Sequence, residues 1–303
     1  MRAKDPRYVY KDRGRKFSHI LPIAWKSQVA EWFAEDCESL DCAESLAGDE
    51  DKTATLYGKS QGILAGAPFF QEVFNYVGCK VEWIKEEGCA IHEEGVKAAL
   101  ATVTGPHRKI LRGKRIALNV LSRCSSIATQ TDKMIRIVRN VGYKGSLAGT
   151  RETTPGFRLV EKYGLIIGGA DSHRFDLSNL TVIKTSDSLA DSGVNCLVKR
   201  TRDICGPNHS IAVEVSNESA AHNAIDSGAD IIVLNPENIK NFKLVAWHLQ
   251  DTRHYKVKFI VECTGNITPE NITSFVSRDI SIISTSSLHK GVPHIEFSLK
   301  LSE

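Results

Sequence analysis

After Gly142 the sequence alternates between short apolar runs and segments with helical patterning, and this alternation constrains the fold more than any other feature. The apolar runs are LTVIK at 180–184, SIAVEV at 210–215, ADIIVLN at 229–235, VKFIVECTG at 257–265 and ISIIST at 280–285. Repeated strand–helix units predict parallel strands joined by helical crossovers. We therefore expect a closed or nearly closed α/β barrel, in which the chemistry lies at the carboxyl ends of the strands.

Polar and charged side chains stand at these predicted strand ends. They are Lys184, Glu214, Asn235, the segment 264–266 and the segment 284–287. Further cations follow other strand or turn positions, namely Arg151, His173 and Arg174. Arginine grips carboxylate or phosphate through a planar fork, so a cluster of these cations around Glu214 predicts a pocket for a small polyanion. The alternative is that each cation is a separate solvated or ion-paired surface group.

The first half of the chain has a different, mixed pattern. One amphipathic helix is expected within 20–33, and strands with a Pro-initiated helix at 68–78 are expected between 53 and 104. Segment 107–142 is helical over most of its length, because apolar residues recur at helical spacing.

Composition excludes several classes of function. The 303 residues carry a net charge of only +3, which gives no support for nucleic-acid or membrane binding through overall charge. No apolar run approaches the roughly 18 residues of a membrane span. The eight cysteines form neither a CxxC pair nor a zinc spacing, which favours a reducing compartment and predicts a cytoplasmic protein without a bound metal.

The segment TRETTPGFRLVEKYGLIIGGADSHRFDLSNLTVIK at 150–184 resembles the signature of the quinolinate phosphoribosyltransferase family, also called carboxylating nicotinate-nucleotide pyrophosphorylases. Further matching blocks are GILAGAPFFQEVF, KRIALNVLSRCSSIAT, VECTGNIT and ISTSSLHKG. The resemblance runs from about residue 20 to the C-terminus. It implies an N-terminal α/β sandwich domain, an open α/β barrel, and a homodimer or higher homo-oligomer with shared active sites.

We expect the sandwich domain over 1–125 and the barrel over 126–285, with the segment 286–303 packing on the first domain. The family condenses quinolinate with phosphoribosyl pyrophosphate, giving nicotinate mononucleotide, pyrophosphate and carbon dioxide, and magnesium serves the pyrophosphate. By motif, Arg115 matches the arginine that reaches the acid from the partner subunit. The residues that match those holding the two carboxylates are Arg151, His173, Arg174 and Lys184, and Glu214 matches the acid on the ribose-phosphate side.

The sequence departs from the family motif mainly on the sugar-phosphate side. Glu152 stands where the family has lysine. At a separation of about 4 Å and an effective dielectric constant near 20, replacing attraction to an anionic substrate by repulsion changes the interaction energy by several kcal/mol. Asn235-Pro236 replaces Asp-Asn, and Thr264-Gly265-Asn266 replaces the Ser-Gly-Gly phosphate cradle. Thr185-Ser186-Asp187 replaces Asp-Asn-His. The family block Ser-Gly-Ile-Ala-Thr is Ser125-Ser126-Ile127-Ala128-Thr129 in this chain.

These departures predict a retargeted enzyme that binds an acidic ring compound and decarboxylates or cyclises it. Its candidate catalytic residues are His173, Lys184 and Glu152, and its candidate binding residues are Arg115, Arg151, His173, Arg174, Lys184, Glu214, Asn235, Thr264 and Ser286. His173 is either a proton carrier or only a hydrogen-bond donor to the substrate carboxylate. Glu152 is either an acid–base group or an ion-pair partner of a neighbouring cation. Two alternatives remain, the unmodified family reaction, which alone would require magnesium, and a non-catalytic paralogue.

Overall fold

The computed structural model describes residues 17–36, 47–91, 98–184, 193–251 and 258–302. The helices are α1 Ser27–Asp36, α2 Ala67–Tyr76, α3 His107–Asn140, α4 Arg158–Gly168, α5 Val194–Cys205, α6 Glu218–Asp226 and α7 Phe242–Asp251. The strands are β1 Asp51–Gly58, β2 Lys80–Trp83, β3 Ala98–Pro106, β4 Ser146–Ala148, β5 Leu180–Lys184, β6 Ser210–Val215, β7 Ile231–Leu234, β8 Ile260–Thr264, β9 Ile282–Ser284 and β10 Phe297–Leu301. The chain divides into two compact units, Met1–Asp132 with Thr154–Gly169 and Gly291–Glu303, and Lys133–Thr153 with Ala170–Lys290.

The first unit contains a four-stranded antiparallel sheet in the order β10-β1-β3-β2. Strand β1 buries every second residue from Ala54 onward, which is the period of a strand with one face in the core. Helix α2 begins after Gly66, whose φ of 97° suits a residue without a Cβ, and it places Pro68 in its first turn. Its buried face consists of Phe69, Phe70, Val73 and Phe74, so helical spacing and burial coincide.

Helices α3 and α4 approach each other closely at two glycines of α4. A Cβ added at Gly164 would lie 2.8 Å from the carbonyl oxygen of Cys124, and one added at Gly168 would lie 2.5 Å from the Cβ of Thr131. Gly168 would also meet the carbonyl oxygen of Ala128 at 2.7 Å. These glycines therefore allow backbone-to-backbone packing that a larger residue prevents.

We expect Gly168→Ala to lower the free energy of unfolding by about 2 kcal/mol, because overpacking against the α3 backbone outweighs the higher helix propensity of alanine. Urea unfolding followed by circular dichroism measures the change. The control is Asn119→Ala at an exposed position of α3, which should change the same quantity by less than about 0.5 kcal/mol. A Gly168→Ala protein as stable as the unmodified chain would contradict the close packing.

The second unit contains a six-stranded parallel sheet in the order β4-β9-β8-β7-β6-β5. Strands β5 and β4 occupy its two ends, so within the described residues the sheet is open rather than closed. The predicted α/β fold and the predicted parallel strands are confirmed. Because all six strands run in the same direction, their carboxyl ends meet at one edge.

The prediction of a helix after β8 is wrong, because only a short 3₁₀ turn forms there, at Ile272–Phe275. The side chain of Asn271 accepts from the backbone N–H of Thr268 at 2.8 Å and donates to the carbonyl of Asn266 at 3.0 Å. These local side-chain hydrogen bonds compete with a continuous helix. Among the helices described, none has the length and apolar character needed to cross a membrane.

Candidate active site

One face of the parallel sheet lines a cavity of about 580 Å³ in the second unit. The lining side chains alternate along the strands, as shown by Leu180, Val182 and Lys184 on β5, Ala212 and Glu214 on β6, and Glu262 and Thr264 on β8. Successive side chains of a strand point to opposite faces, so every second residue faces the cavity. The volume lies within the range of sites for small molecules, roughly 300–1,000 Å³.

Two arginines form the most positive part of this cavity. Arg174 is half-buried and donates from Nη1 to the carbonyl oxygen of Leu180 at 3.3 Å. Burial lowers the pKa of Arg174, and the positive charge of Arg151 acts in the same direction. Together the two guanidinium groups provide two forks for an anion.

A second group of polar side chains lies at the carboxyl ends of three neighbouring strands. Lys184 and Glu214 are directly paired in the β5–β6 register, and Lys184 Nζ lies 3.5 Å from Glu214 Oε2. The amide of Asn235, just after β7, donates from Nδ2 to Glu214 Oε1 at 3.4 Å. Glu214 therefore orients a cation on one side and an amide on the other.

His173 is held in an unusual backbone conformation. Its φ is 57°, the one positive φ of a non-glycine residue in the described part of the chain. The backbone N–H of His173 donates to Asp171 Oδ1 at 2.6 Å, which secures this conformation. Such a conformation costs about 1–3 kcal/mol and is enriched at functional sites. Within the cavity wall, Nε2 of His173 lies 3.2 Å from Glu262 Oε2.

Glu152 also lines the cavity, and it forms an ion pair with Lys290. The hydrogen bond and charge of Lys290 lower the pKa of the Glu152 carboxyl below its ordinary value. Both side chains are more than half exposed, so solvent screens the pair. The structure thus places Glu152 in the ion-paired arrangement that the sequence left open.

The cavity brings together every predicted site residue except Arg115. Those it collects are Arg151, Glu152, His173, Arg174, Lys184, Glu214, Asn235, Thr264 and Ser286. Arg115 is exposed on α3 in the first unit, whereas the lining residues all belong to the second. Its contribution to a partner subunit's site stays a prediction. The altered segment 185–187 lies outside the described residues.

Sequence reasoning missed Glu262, which is only 3% exposed. Its signal was a carboxylate inside the apolar run IVECT, where a charged residue needs partners. With Glu152 and Glu214 it gives three carboxylates in the lining, against the three cations Arg151, Arg174 and Lys184. The cavity is therefore closer to charge balance than the sequence suggested. Within the described ranges, no group of three His, Cys, Asp or Glu side chains is arranged to hold a metal ion.

Two arginines and a lysine line a cavity at the carboxyl ends of a parallel α/β sheet, which is where enzymes of the α/β-barrel class have their active sites. Two family models match this chain. The quinolinate phosphoribosyl transferase C-terminal domain matches residues 127–300, and the corresponding N-terminal domain matches residues 41–125. The chain belongs to the quinolinate phosphoribosyltransferase family.

Individual relatives agree with this assignment. The carboxylating nicotinate-nucleotide pyrophosphorylase of Dictyostelium discoideum is 39% identical over 301 residues, covering 95% of this chain and 99% of the relative. The Homo sapiens protein of the same name is 39% identical over 285 residues, with 93% of each chain covered. The solved nicotinate-nucleotide pyrophosphorylase of Francisella tularensis superposes with a TM-score of 0.81 at 28% identity, covering 91% of this chain and 95% of that one.

Proposed function

We propose that this chain catalyses the reaction of its family, the conversion of quinolinate and phosphoribosyl pyrophosphate to nicotinate mononucleotide, pyrophosphate and carbon dioxide. The observation that carries the proposal is the joint placement of Arg151, Arg174 and Lys184 in one cavity of suitable size. Two guanidinium forks and an ammonium group match the two carboxylates of quinolinate. The named relatives, at 39% identity over nearly the whole chain, support the same reaction.

The chemistry follows from the charges of the site. The ring nitrogen of quinolinate bonds to the anomeric carbon of the sugar, and pyrophosphate leaves with the bonding electron pair. The ring nitrogen then carries positive charge, which stabilises the electron pair left on the adjacent ring carbon when carbon dioxide departs; that carbon takes up a proton. Fixed cations in the cavity orient the acid for this sequence.

Magnesium fits this site only in a limited way. Glu214 offers one carboxylate at the strand ends, whereas Asn235 directs its NH2 group at Glu214 and its amide oxygen accepts from the backbone N–H of Glu237 at 3.1 Å. Magnesium is commonly bound through one or two carboxylates together with substrate phosphates, and it keeps several waters. We propose that Glu214 assists an ion held mainly by the pyrophosphate.

The direct test measures nicotinate mononucleotide after incubation of the purified protein with quinolinate, phosphoribosyl pyrophosphate and magnesium. We expect turnover within the usual range for enzymes, about 1–1,000 s⁻¹. Release of carbon dioxide in equal amount is the second readout. Absence of product, together with tight binding of quinolinate, would contradict the proposal.

A second candidate is an enzyme that binds the acid but uses it in another reaction. The observation that favours it is the Glu152 carboxylate in the cavity lining, at the position where the family motif has lysine. An added negative charge near a polyanionic sugar phosphate is unfavourable. In this case the protein binds quinolinate and forms no nucleotide.

The double substitution Glu152→Lys with Asn235→Asp separates the two candidates. If the chain catalyses the family reaction, its unmodified site is already active. We then expect the double substitution to change the rate of nucleotide formation by less than about 10-fold, which corresponds to about 1.4 kcal/mol of activation free energy. A larger increase from a low starting rate would favour the second candidate. The control is Glu237→Gln, which makes the same net charge change as the double substitution, +1, outside the cavity lining.

A further prediction concerns active sites that are shared between two subunits of a homo-oligomer. If Arg115 completes the cavity of a partner, Arg115→Ala and Arg174→Ala are each inactive alone. After subunit exchange in an equal mixture, about one quarter of the sites contain both arginines, so about a quarter of the activity returns. Mixing two separate preparations of Arg174→Ala is the control. A mixture of the two variants that stays inactive despite proven exchange would contradict the shared site.

A further inference from the structure

Glu262 is the least exposed charged residue of the cavity lining, and it lies in the middle of β8. Its chain neighbours Val261 and Cys263 are fully buried, and its own side chain is 5% exposed. An ionised carboxylate in such surroundings is stable only with hydrogen-bond donors or opposite charges nearby. The contacts of Glu262 therefore indicate its role.

The two oxygens of Glu262 have different partners. Oε2 lies 3.2 Å from Nε2 of His173, and Oε1 accepts a hydrogen bond from the hydroxyl of Ser284 on β9. Ser284 is itself 2% exposed, so this hydroxyl has little freedom to turn elsewhere. The positive charge of Arg174 is close enough to interact electrostatically with the same carboxylate. Glu262 thus connects the histidine, a serine and an arginine of one cavity.

These contacts also determine the tautomer of His173. A carboxylate oxygen accepts in such a hydrogen bond, so the contact with Oε2 requires a proton on Nε2. The other ring nitrogen, Nδ1, is buried and has no hydrogen-bond partner among the described residues. A buried lone pair without a partner is less costly than a buried N–H without one, since N–H groups are very rarely left unpaired in proteins. Both nitrogens therefore favour the same tautomer.

We infer that Glu262 is a positioning residue, which holds the Nε2 proton of His173, fixes the imidazole in one tautomer and orientation, and so prepares the cavity for its acid substrate. The inference rests on the proposed function for the identity of the acid. Ser284 supports it by fixing the second carboxylate oxygen. The positive φ of His173 and its backbone hydrogen bond to Asp171 fix the same side chain from the main-chain side.

The first experiment measures ring ¹⁵N chemical shifts of His173 in the full-length protein with and without Glu262→Gln. A glutamine has nearly the same shape but can either accept from Nε2–H or donate to a bare Nε2, so it no longer selects one tautomer. We expect the Nε2–H tautomer alone in the unmodified protein, and in Glu262→Gln a shifted Nε2 signal with a minor Nδ1–H fraction, because the buried Nδ1 still disfavours its own N–H. Identical His173 signals in the two proteins would overturn the inference.

The second experiment measures the affinity of quinolinate by calorimetry without phosphoribosyl pyrophosphate. We expect Glu262→Gln to weaken binding about 10-fold, because His173 is held less firmly and its contact with the acid weakens. The lost negative charge by itself favours an anion, so a weaker affinity reports the loss of positioning. Ser284→Ala should weaken it by a smaller factor, and it tests the same link if Glu262→Gln fails to fold. The matched control is Glu270→Gln, an exposed carboxylate of the same unit, which should leave both readouts unchanged.

The two readouts separate this inference from the proposed function. A protein that makes no nucleotide but shows the tautomer change supports the positioning role and contradicts the family reaction. A protein with normal turnover, and with unchanged signals and affinity in Glu262→Gln, supports the family reaction and overturns the positioning role.

Discussion

Replacing Arg174 with alanine is expected to weaken the binding of quinolinate about 100-fold, because a two-pronged charge-assisted hydrogen bond of about 3 kcal/mol is lost. Arg174 is half-buried, so water replaces its guanidinium less effectively than at an exposed position. Arg174→Lys keeps the charge without the planar fork and should give an intermediate loss. Calorimetry without phosphoribosyl pyrophosphate measures the dissociation constants.

The matched control for this substitution is Arg200→Ala on the exposed face of α5. It removes the same charge from the same unit and should leave the dissociation constant unchanged. If Arg174→Ala bound quinolinate as tightly as the unmodified chain, the cavity would not be the acid site. Equal losses in Arg174→Ala and Arg200→Ala would indicate an effect of overall charge instead.

Replacing Glu161 with alanine is expected to lower the free energy of unfolding by about 3 kcal/mol, at the lower end of the range for breaking a buried ion pair. Glu161 is 1% exposed on α4 and accepts from Arg123 Nη2 at 2.8 Å. It also accepts from the hydroxyl of Thr154 at 2.8 Å and from the backbone N–H of Thr154 at 3.2 Å. Its removal takes away the acceptor of all three hydrogen bonds. Urea unfolding measures the change.

Two further variants make this stability prediction specific. Glu161→Gln keeps an acceptor oxygen but loses the charge, so it should be destabilised less than Glu161→Ala. Glu86→Ala removes an exposed carboxylate and should lie within about 0.5 kcal/mol of the unmodified protein. Equal unfolding free energies for Glu161→Ala and Glu86→Ala would show that the pair adds nothing to stability.

Strand positions in the second unit were predictable because burial on both sides gives continuous apolar runs. LTVIK and SIAVEV coincide with β5 and β6 at every residue. Since parallel strands end at one edge, the sequence also predicted that Lys184 and Glu214 lie close together. Arg151, His173 and Arg174 lie in loops, and their candidate roles came from the family resemblance rather than from periodicity.

The remaining features depend on contacts between distant parts of the chain. His173 and Glu262 are 89 positions apart, and Glu152 and Lys290 are 138 positions apart. No local pattern specifies such pairs, because they form only when loops and strands of the folded unit meet. For the same reason the near balance of charge in the cavity was not visible in the order of the residues.

The alternation of cavity-facing and outward-facing residues along each strand has a consequence for how such a protein can diverge. On β6, Glu214 faces the cavity while Val213 and Val215 are buried on the opposite side. Substitutions of the polar residues at the cavity ends of the strands alter ligand selectivity, whereas those of the buried residues on the opposite side alter stability. A family built on this pattern can accumulate changes such as Asn235 or Thr264 while the scaffold stays intact, so inherited architecture and inherited chemistry are separable traits.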